Sequence, residues 1–160
     1  MENNARIPYL EIEGAKLIFR NFSGMETDFN REGNRNFHVL IEDEDLAKQL
    51  IDAGWNISVH NKKEDRDPFY SLKVAVRFDV LPPNIYLVRQ RDKALIRFDE
   101  RTVGELDTAD IINADIIIRP RVWDINGKTG IKAYLKDLYV TIQENRFAQK
   151  YREAAENAEC

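Results

Sequence analysis

The sequence predicts a mainly β fold: a small Greek-key barrel with one long β-hairpin over about residues 114–142 and short helices inserted between strands. Three observations predict it. About seven to nine short alternating runs are separated by turn residues, the pattern of a barrel or sandwich. The longest stretch, IIIRPRVWDINGKTGIKAYLKDLYVTI at Ile116–Ile142, holds Asn126-Gly127 between two alternating runs. Asn-Gly supplies the positive φ that a type I′ hairpin turn needs at both central residues. The helix-prone segments, finally, are short and sit between strands, apart from one at the C-terminal end.

Taken in order, the chain begins with a loose entry and a short strand around Tyr9–Glu13, followed by a core strand at Ala15–Phe22. Ser23–Asn36, polar and rich in Gly and Asn, reads as a long loop. Phe37–Ile41 is a strand with Phe37, Val39 and Ile41 on one face. Asp43 caps a helix over Glu44–Ala53, with Leu46, Leu50 and Ile51 as its apolar positions and Gly54 as its stop. Trp55–Val59 is a strand that turns Trp, Ile and Val inward, and Asn61–Pro68 is a charged turn. Phe69–Phe78 places Tyr70, Leu72, Val74, Val76 and Phe78 on one face and Phe69, Lys73 and Arg77 on the other. Leu81-Pro82-Pro83 breaks that strand. Asn84–Arg89 and Ala94–Phe98 are further short strands, and Thr102–Thr108 is a helical turn. Past the hairpin, from Gln143 onward, residues 144–159 are helix-prone. One domain over 1–160 follows, with its core at about 9–143 and a helix or tail at 144–160. A Greek-key barrel of the OB type fits this order, and such barrels bind nucleic acid on a sheet face and adjacent loops.

A turn at Asn126-Gly127 fixes the hairpin register. Ile125 meets Lys128, Trp123 meets Gly130, Arg121 meets Lys132 and Arg119 meets Tyr134. The opposite face pairs Val122 with Ile131, Pro120 with Ala133 and Ile118 with Leu135, and is expected in the core. After Asp137 the apolar positions change phase, which predicts a β-bulge. The first face carries Arg119, Arg121, Trp123, Lys132 and Tyr134, with Lys136 next in line. Arg121 directly opposite Lys132 is unfavourable unless something anionic answers both. Cations interleaved with aromatics on an open sheet suit single-stranded nucleic acid, where phosphates meet the cations and bases stack on the rings. The plainer alternative is a solvated face whose cations pair with carboxylates from elsewhere. The candidate binding set is therefore Arg119, Arg121, Lys132, Lys136, Lys73 and Arg77 for phosphates, with Trp123, Tyr134 and Phe69 for bases.

Composition narrows the classes. The chain has 43% hydrophobic and 32% charged residues and a net charge of −4. The charge is segregated: residues 42–52 and 98–113 are each −4, whereas 62–97 is +4 and 114–140 is +2, so a basic face on an acidic protein is expected. No apolar run reaches the ~20 residues of a membrane span. A lone Cys160 and an N-terminus without signal-peptide character fit a reducing compartment, the cytoplasm. His38 and His60, on different strands, read as solvated surface residues, so neither a metal nor a cofactor is expected. Gly127-Lys128-Thr129-Gly130 lies in a hairpin, not before a helix, and is no phosphate loop. The acidic run Glu42–Asp45 is a helix start. Nothing here points to an enzyme.

The order FRNFSG, GNRNF, a helix ending in AGW, LKVAVRF, PPNIYLV and then the hairpin resembles phage-encoded single-stranded-DNA-binding proteins of the OB-fold type, over roughly residues 15–151. That resemblance implies coating of exposed single strands during phage replication or recombination, in the host cytoplasm. It also implies an acidic tail that recruits replication or recombination proteins, although EAAENAEC here is mildly acidic and lacks a terminal aromatic. RNA offers the same phosphates and stackable bases. Self-association through the hairpin edge is a further expectation, opposed by Pro120. The competing function is a protein–protein module, a phage structural protein or an acidic inhibitor of a host nucleic-acid enzyme, acting through residues 42–52 and 98–110.

Overall fold

The computed structural model describes residues 7–60 and 67–143. Its strands are β1 (Leu10–Ile12), β2 (Leu17–Asn21), β3 (Arg35–Ile41), β4 (Ile57–His60), β5 (Phe69–Val76), β6 (Asn84–Val88), β7 (Leu95–Phe98), β8 (Ile111–Ile125) and β9 (Lys128–Ile142). One helix, α1 (Glu44–Ala53), and a 3₁₀ turn (Val103–Asp107) lie between them. The expected C-terminal helix lies outside the described residues.

The strands run β1-β8-β9-β5-β3-β2 in one sheet. Its two end members are successive pieces of one segment. β1 pairs with β8, the Ala15 N–H then donates to Ala114 O at 2.7 Å, and β2 pairs with β3. Counting β1 and β2 as one bent strand, the path returns to its start through the chain itself, as a partly open barrel. β5 and β9 are parallel and every other pair on this path is antiparallel. This is the OB-like Greek-key order expected above.

β9 is the spine, because its fifteen residues serve two partners on one side. Its first half pairs with β5 at Val74–Ala133 and Ala75–Tyr134, and its second half pairs with β6 from Asn84–Asp137 to Val88–Thr141. β8 covers its other side throughout. The hairpin turn forms as expected, with φ +53° at Asn126 and +82° at Gly127, and the register runs from Ile125–Lys128 to Ile118–Leu135. Lys136 is then skipped, since Leu135 faces Ile118 while Asp137 faces Ile117. That is the bulge the phase change predicts, and it turns Leu138 and Val140 into the core. Tyr139 consequently lies on the outer face, stacked on Tyr86 at 5.4 Å.

The core is built from Phe22 and Phe37, stacked at 4.9 Å, with Leu72, Ile118, Leu135 and Leu138, all fully or almost fully buried. α1 begins at Asp43, whose carboxylate accepts from the N–H groups of Asp45 and Leu46, and ends at Gly54 in the left-handed region. The Gly54 carbonyl accepts from Ile131 N–H and Asn56 N–H donates to Ile131 O, so the helix end is tied to β9 and Trp55 is buried.

Three inward assignments are corrected. Val122 is 58% exposed, because the last residues of β8 and the first of β9 project beyond the neighbouring strands. Val59 and Ile51 are exposed as well. β4 has only four residues at the margin of β5, and α1 packs through Ala47 and Leu50.

Candidate nucleic-acid interface

Register lines up the charges. Arg121 lies opposite Lys132, and pairing of Val74 with Ala133 sets Lys73 beside Lys132 on the next strand. His38 lies opposite Lys73 on the strand after that. Neighbouring strands are about 4.8 Å apart, so three cations cross three adjacent strands in one line. Among the described residues, Lys73, Arg121 and Lys132 have no carboxylate in ion-pair range. The other expected cations are engaged. Arg77 donates from Nε and Nη2 to Asp79 at 3.1 and 2.6 Å. Lys136, at the bulge, donates to Asp137 at 3.0 Å and sits over the Tyr9 ring, so it does not continue the row. Arg119 lies over the Tyr134 ring, 5.8 Å from its centre.

A groove of about 850 Å³ runs beside this row, lined by Trp123, Lys132, Lys73, Arg77 and the backbone-rich corner Asn34–Asn36. Its two carboxylates, Asp79 and Glu100, already face Arg77 and Arg35. Trp123 is 36% exposed and its indole crosses Gly130 so closely that a Cβ there would come within 2.5 Å of Cζ2. The absent side chain at 130 is what lets the ring lie flat along the hairpin.

Tyr134 is not the open platform expected, since it is only 7% exposed. Lys132 Nζ stands 5.2 Å from its ring centre and Arg119 covers it too. Burial raises its hydroxyl pKa, but Lys132, Arg77 and Arg121 together outweigh that and leave it lowered. Tyr134 therefore seats the cations and has little free ring face for a base. Phe69 is outside the groove, stacked on His60 at 4.4 Å.

The histidines are also corrected. His38 Nδ1 and His60 Nε2 lie 2.7 and 2.8 Å from the buried Ser71 hydroxyl, which has one proton and so donates to one ring while accepting from the other. Burial, then Lys73, then His60 lower the His38 pKa to about 4, so it is neutral at pH 7. Three strands supply this triad, which no local pattern announces. Among the described residues, no group of three His, Cys, Asp or Glu side chains is placed to hold a metal.

The loop over 22–34 is braced at both ends. Asp107, in the 3₁₀ turn, accepts from Phe22 N–H, Ser23 N–H and the Ser23 hydroxyl. Asn30 donates to Met25 O at 2.9 Å and Asn34 O at 3.0 Å and accepts from Asn36 at 3.0 Å. Gly24 allows the two arms to touch, since a Cβ there would be 3.1 Å from the Gly33 backbone. The result is a fixed loop whose descending arm lines the groove while Phe29 stands 96% exposed. The loop's polarity hides this aromatic from sequence reasoning.

An OB-like barrel whose cationic row, among the described residues, has no carboxylate partner and borders a Trp-lined groove has the features of the oligonucleotide-binding class. The chain belongs to a phage single-stranded-DNA-binding family: the profile described as "Putative phage ssDNA-binding domain" matches residues 1–160. The fold is shared with the single-stranded DNA-binding protein from bacteriophage Enc34. In its complex with ssDNA that protein aligns with TM-score 0.55 at 9% identity, covering 86% of this chain and 88% of that one. Its C-terminally truncated form gives 0.53 at 9% identity, covering 86% and 87%. No curated protein matches the chain in sequence. Among the described residues, no helix is long and apolar enough to cross a membrane.

Proposed function

We propose that this chain coats single-stranded DNA without sequence preference and without catalysis, during phage DNA replication or recombination in the host cytoplasm. The observation that carries the reading is the row Arg121–Lys132–Lys73. Three cations on adjacent strands repel one another, carry no carboxylate partner among the described residues, and border a groove with an exposed indole. A chain of phosphates answers all three at once, and Trp123 offers a face to a base. Arg77 joins them by exchanging Asp79 for a phosphate. Arg119 reinforces the row from Tyr134.

The protein–protein reading has less support, because several carboxylates of its acidic segments are occupied locally. Asp43 caps α1, Asp99 accepts from Arg101 N–H and Thr102 N–H, and Asp107 holds the start of the 22–34 loop. The deciding experiment is fluorescence anisotropy of labelled oligo-dT at low and moderate salt, with duplex DNA and oligo-rU as competitors. Salt-sensitive binding that duplex fails to displace is expected. No binding at low salt refutes the proposal, and displacement by oligo-rU would assign RNA equally.

Phe29→Ala gives a clean test of the braced loop. A side chain this exposed contributes little to stability, so its loss should move the unfolding free energy by less than about 0.5 kcal/mol. Binding to oligo-dT is expected to fall by roughly 5-fold or more, the lower end for loss of one stacked base. Unchanged affinity would exclude Phe29 from the interface.

A further inference from the structure

We propose that the strand continues past Lys73 onto a second base-stacking pad, made by Phe19, His38, His60 and Phe69 at the far side of the same sheet face. The proposal rests on the reading of the cationic row as a phosphate track.

Register places the pad in line with the row. Lys73 lies opposite His38, which lies opposite Ile18 on β2. On the other side of β5, His60 lies opposite Phe69. Phe69, Ser71 and Lys73 alternate along β5, so pad and row share one outer face. The four rings form a contiguous surface. Phe19 meets His38 edge-on at 5.2 Å and His60 at 5.6 Å, while His60 and Phe69 stack with 17° between planes. Ser71, fully buried beneath, pins both imidazoles.

Two features separate this from ordinary packing. Phe19 is 57% exposed and has φ +50°, a left-handed conformation that a bulky residue adopts only under strain. It occurs where the β2–β3 register shifts between Ile18 and Asn21, so the backbone is bent and the ring lies on the surface. Strain of this kind concentrates at binding sites. The pad is also chemically distinct from the row: aromatic, with His38 neutral at pH 7, immediately beside a lysine. An aromatic, weakly polar surface next to a cation matches a base attached to its phosphate.

The test uses oligo-dT strands from ~4 to ~16 nucleotides, the span of known OB site sizes. Phe19→Gly is the chosen variant, because glycine accepts φ +50° and relieves the strain. It should fold at least as stably as the wild type by urea denaturation. It should bind the shortest strands that the wild type holds equally well, yet lose roughly 5-fold or more on the longer ones. Wild-type affinity at all lengths overturns the pad, and so does an equal loss at every length. In parallel, the unmodified protein is photocrosslinked to a strand carrying 5-iododeoxyuridine and the adducts are mapped by mass spectrometry. Adducts at Phe19 or His60 support the pad. Adducts confined to the hairpin overturn it while leaving the row intact. Failure of the wild-type protein to bind any oligo-dT refutes both readings.

Discussion

Replacing Lys73, Arg121 and Lys132 together by alanine is expected to lower oligo-dT affinity about 100-fold and to stabilise the DNA-free protein. The two effects have one cause. In the free state the three cations lie on adjacent strands with no carboxylate partner among the described residues, and like charges opposite each other in a sheet are destabilising. On the proposed reading, bound DNA converts that repulsion into attraction. At about 1 kcal/mol for each lost charged contact, three contacts give a loss of roughly two powers of ten. Each single-strand phosphate contact also contributes about 0.7 to the slope of log K against log salt, so the slope should become shallower by about 2. The urea midpoint at low salt should rise in the variant, and added salt should stabilise the wild type more than the variant. Unchanged affinity and slope in a folded variant would move the phosphate track elsewhere. An affinity loss with a lowered urea midpoint would mean that the side chains support the fold.

Much of this face is legible in the sequence because its rules are local. Asn126-Gly127 fixes a two-residue turn, and a two-residue turn fixes the pairing of the strands on either side of it. The bulge at Lys136 follows from the shift of apolar positions from Leu135 to Leu138. What the sequence hides is the neighbour across each strand. The parallel pairing of β5 with β9 sets Lys73 beside Lys132 and, with the cations packed on its ring, leaves Tyr134 with little open surface; alternation within β9 alone makes it look free. Val122 obeys the apolar alternation but lies where the hairpin outruns its neighbours. His38 and His60 are assigned to the outer face by the same alternation, yet their shared Ser71 is visible only once β3, β4 and β5 are assembled. Phe19 depends on a register shift that no residue pattern in β2 marks. Asn34–Asn36 enter the groove because the loop folds back on Gly24.

Trp123 gives the second large effect. Its ring lies on the outer face of the protruding arm, at the groove's edge, with one side against Gly130 and 36% of its surface open. Loss of one base–aromatic stack is worth ~1–3 kcal/mol, so Trp123→Ala should weaken oligo-dT binding by roughly 5- to 150-fold. The arm lies outside the core, and a cross-strand pair there contributes at most about 1 kcal/mol, so the variant should remain folded. Trp123→Phe keeps a π face and should recover a substantial part of the loss. Gly130→Val tests the geometry without touching the tryptophan. A side chain at 130 cannot coexist with Cζ2 at 2.5 Å, so the indole must lift off the strand. Binding should then fall although Trp123 is present, and the tryptophan emission should shift to longer wavelength. If Trp123→Ala weakens binding but Gly130→Val does not, the indole acts through its contact area and not through its position. If neither variant changes affinity in folded protein, the hairpin tip beyond Arg121 and Lys132 lies outside the site and the row alone carries the strand.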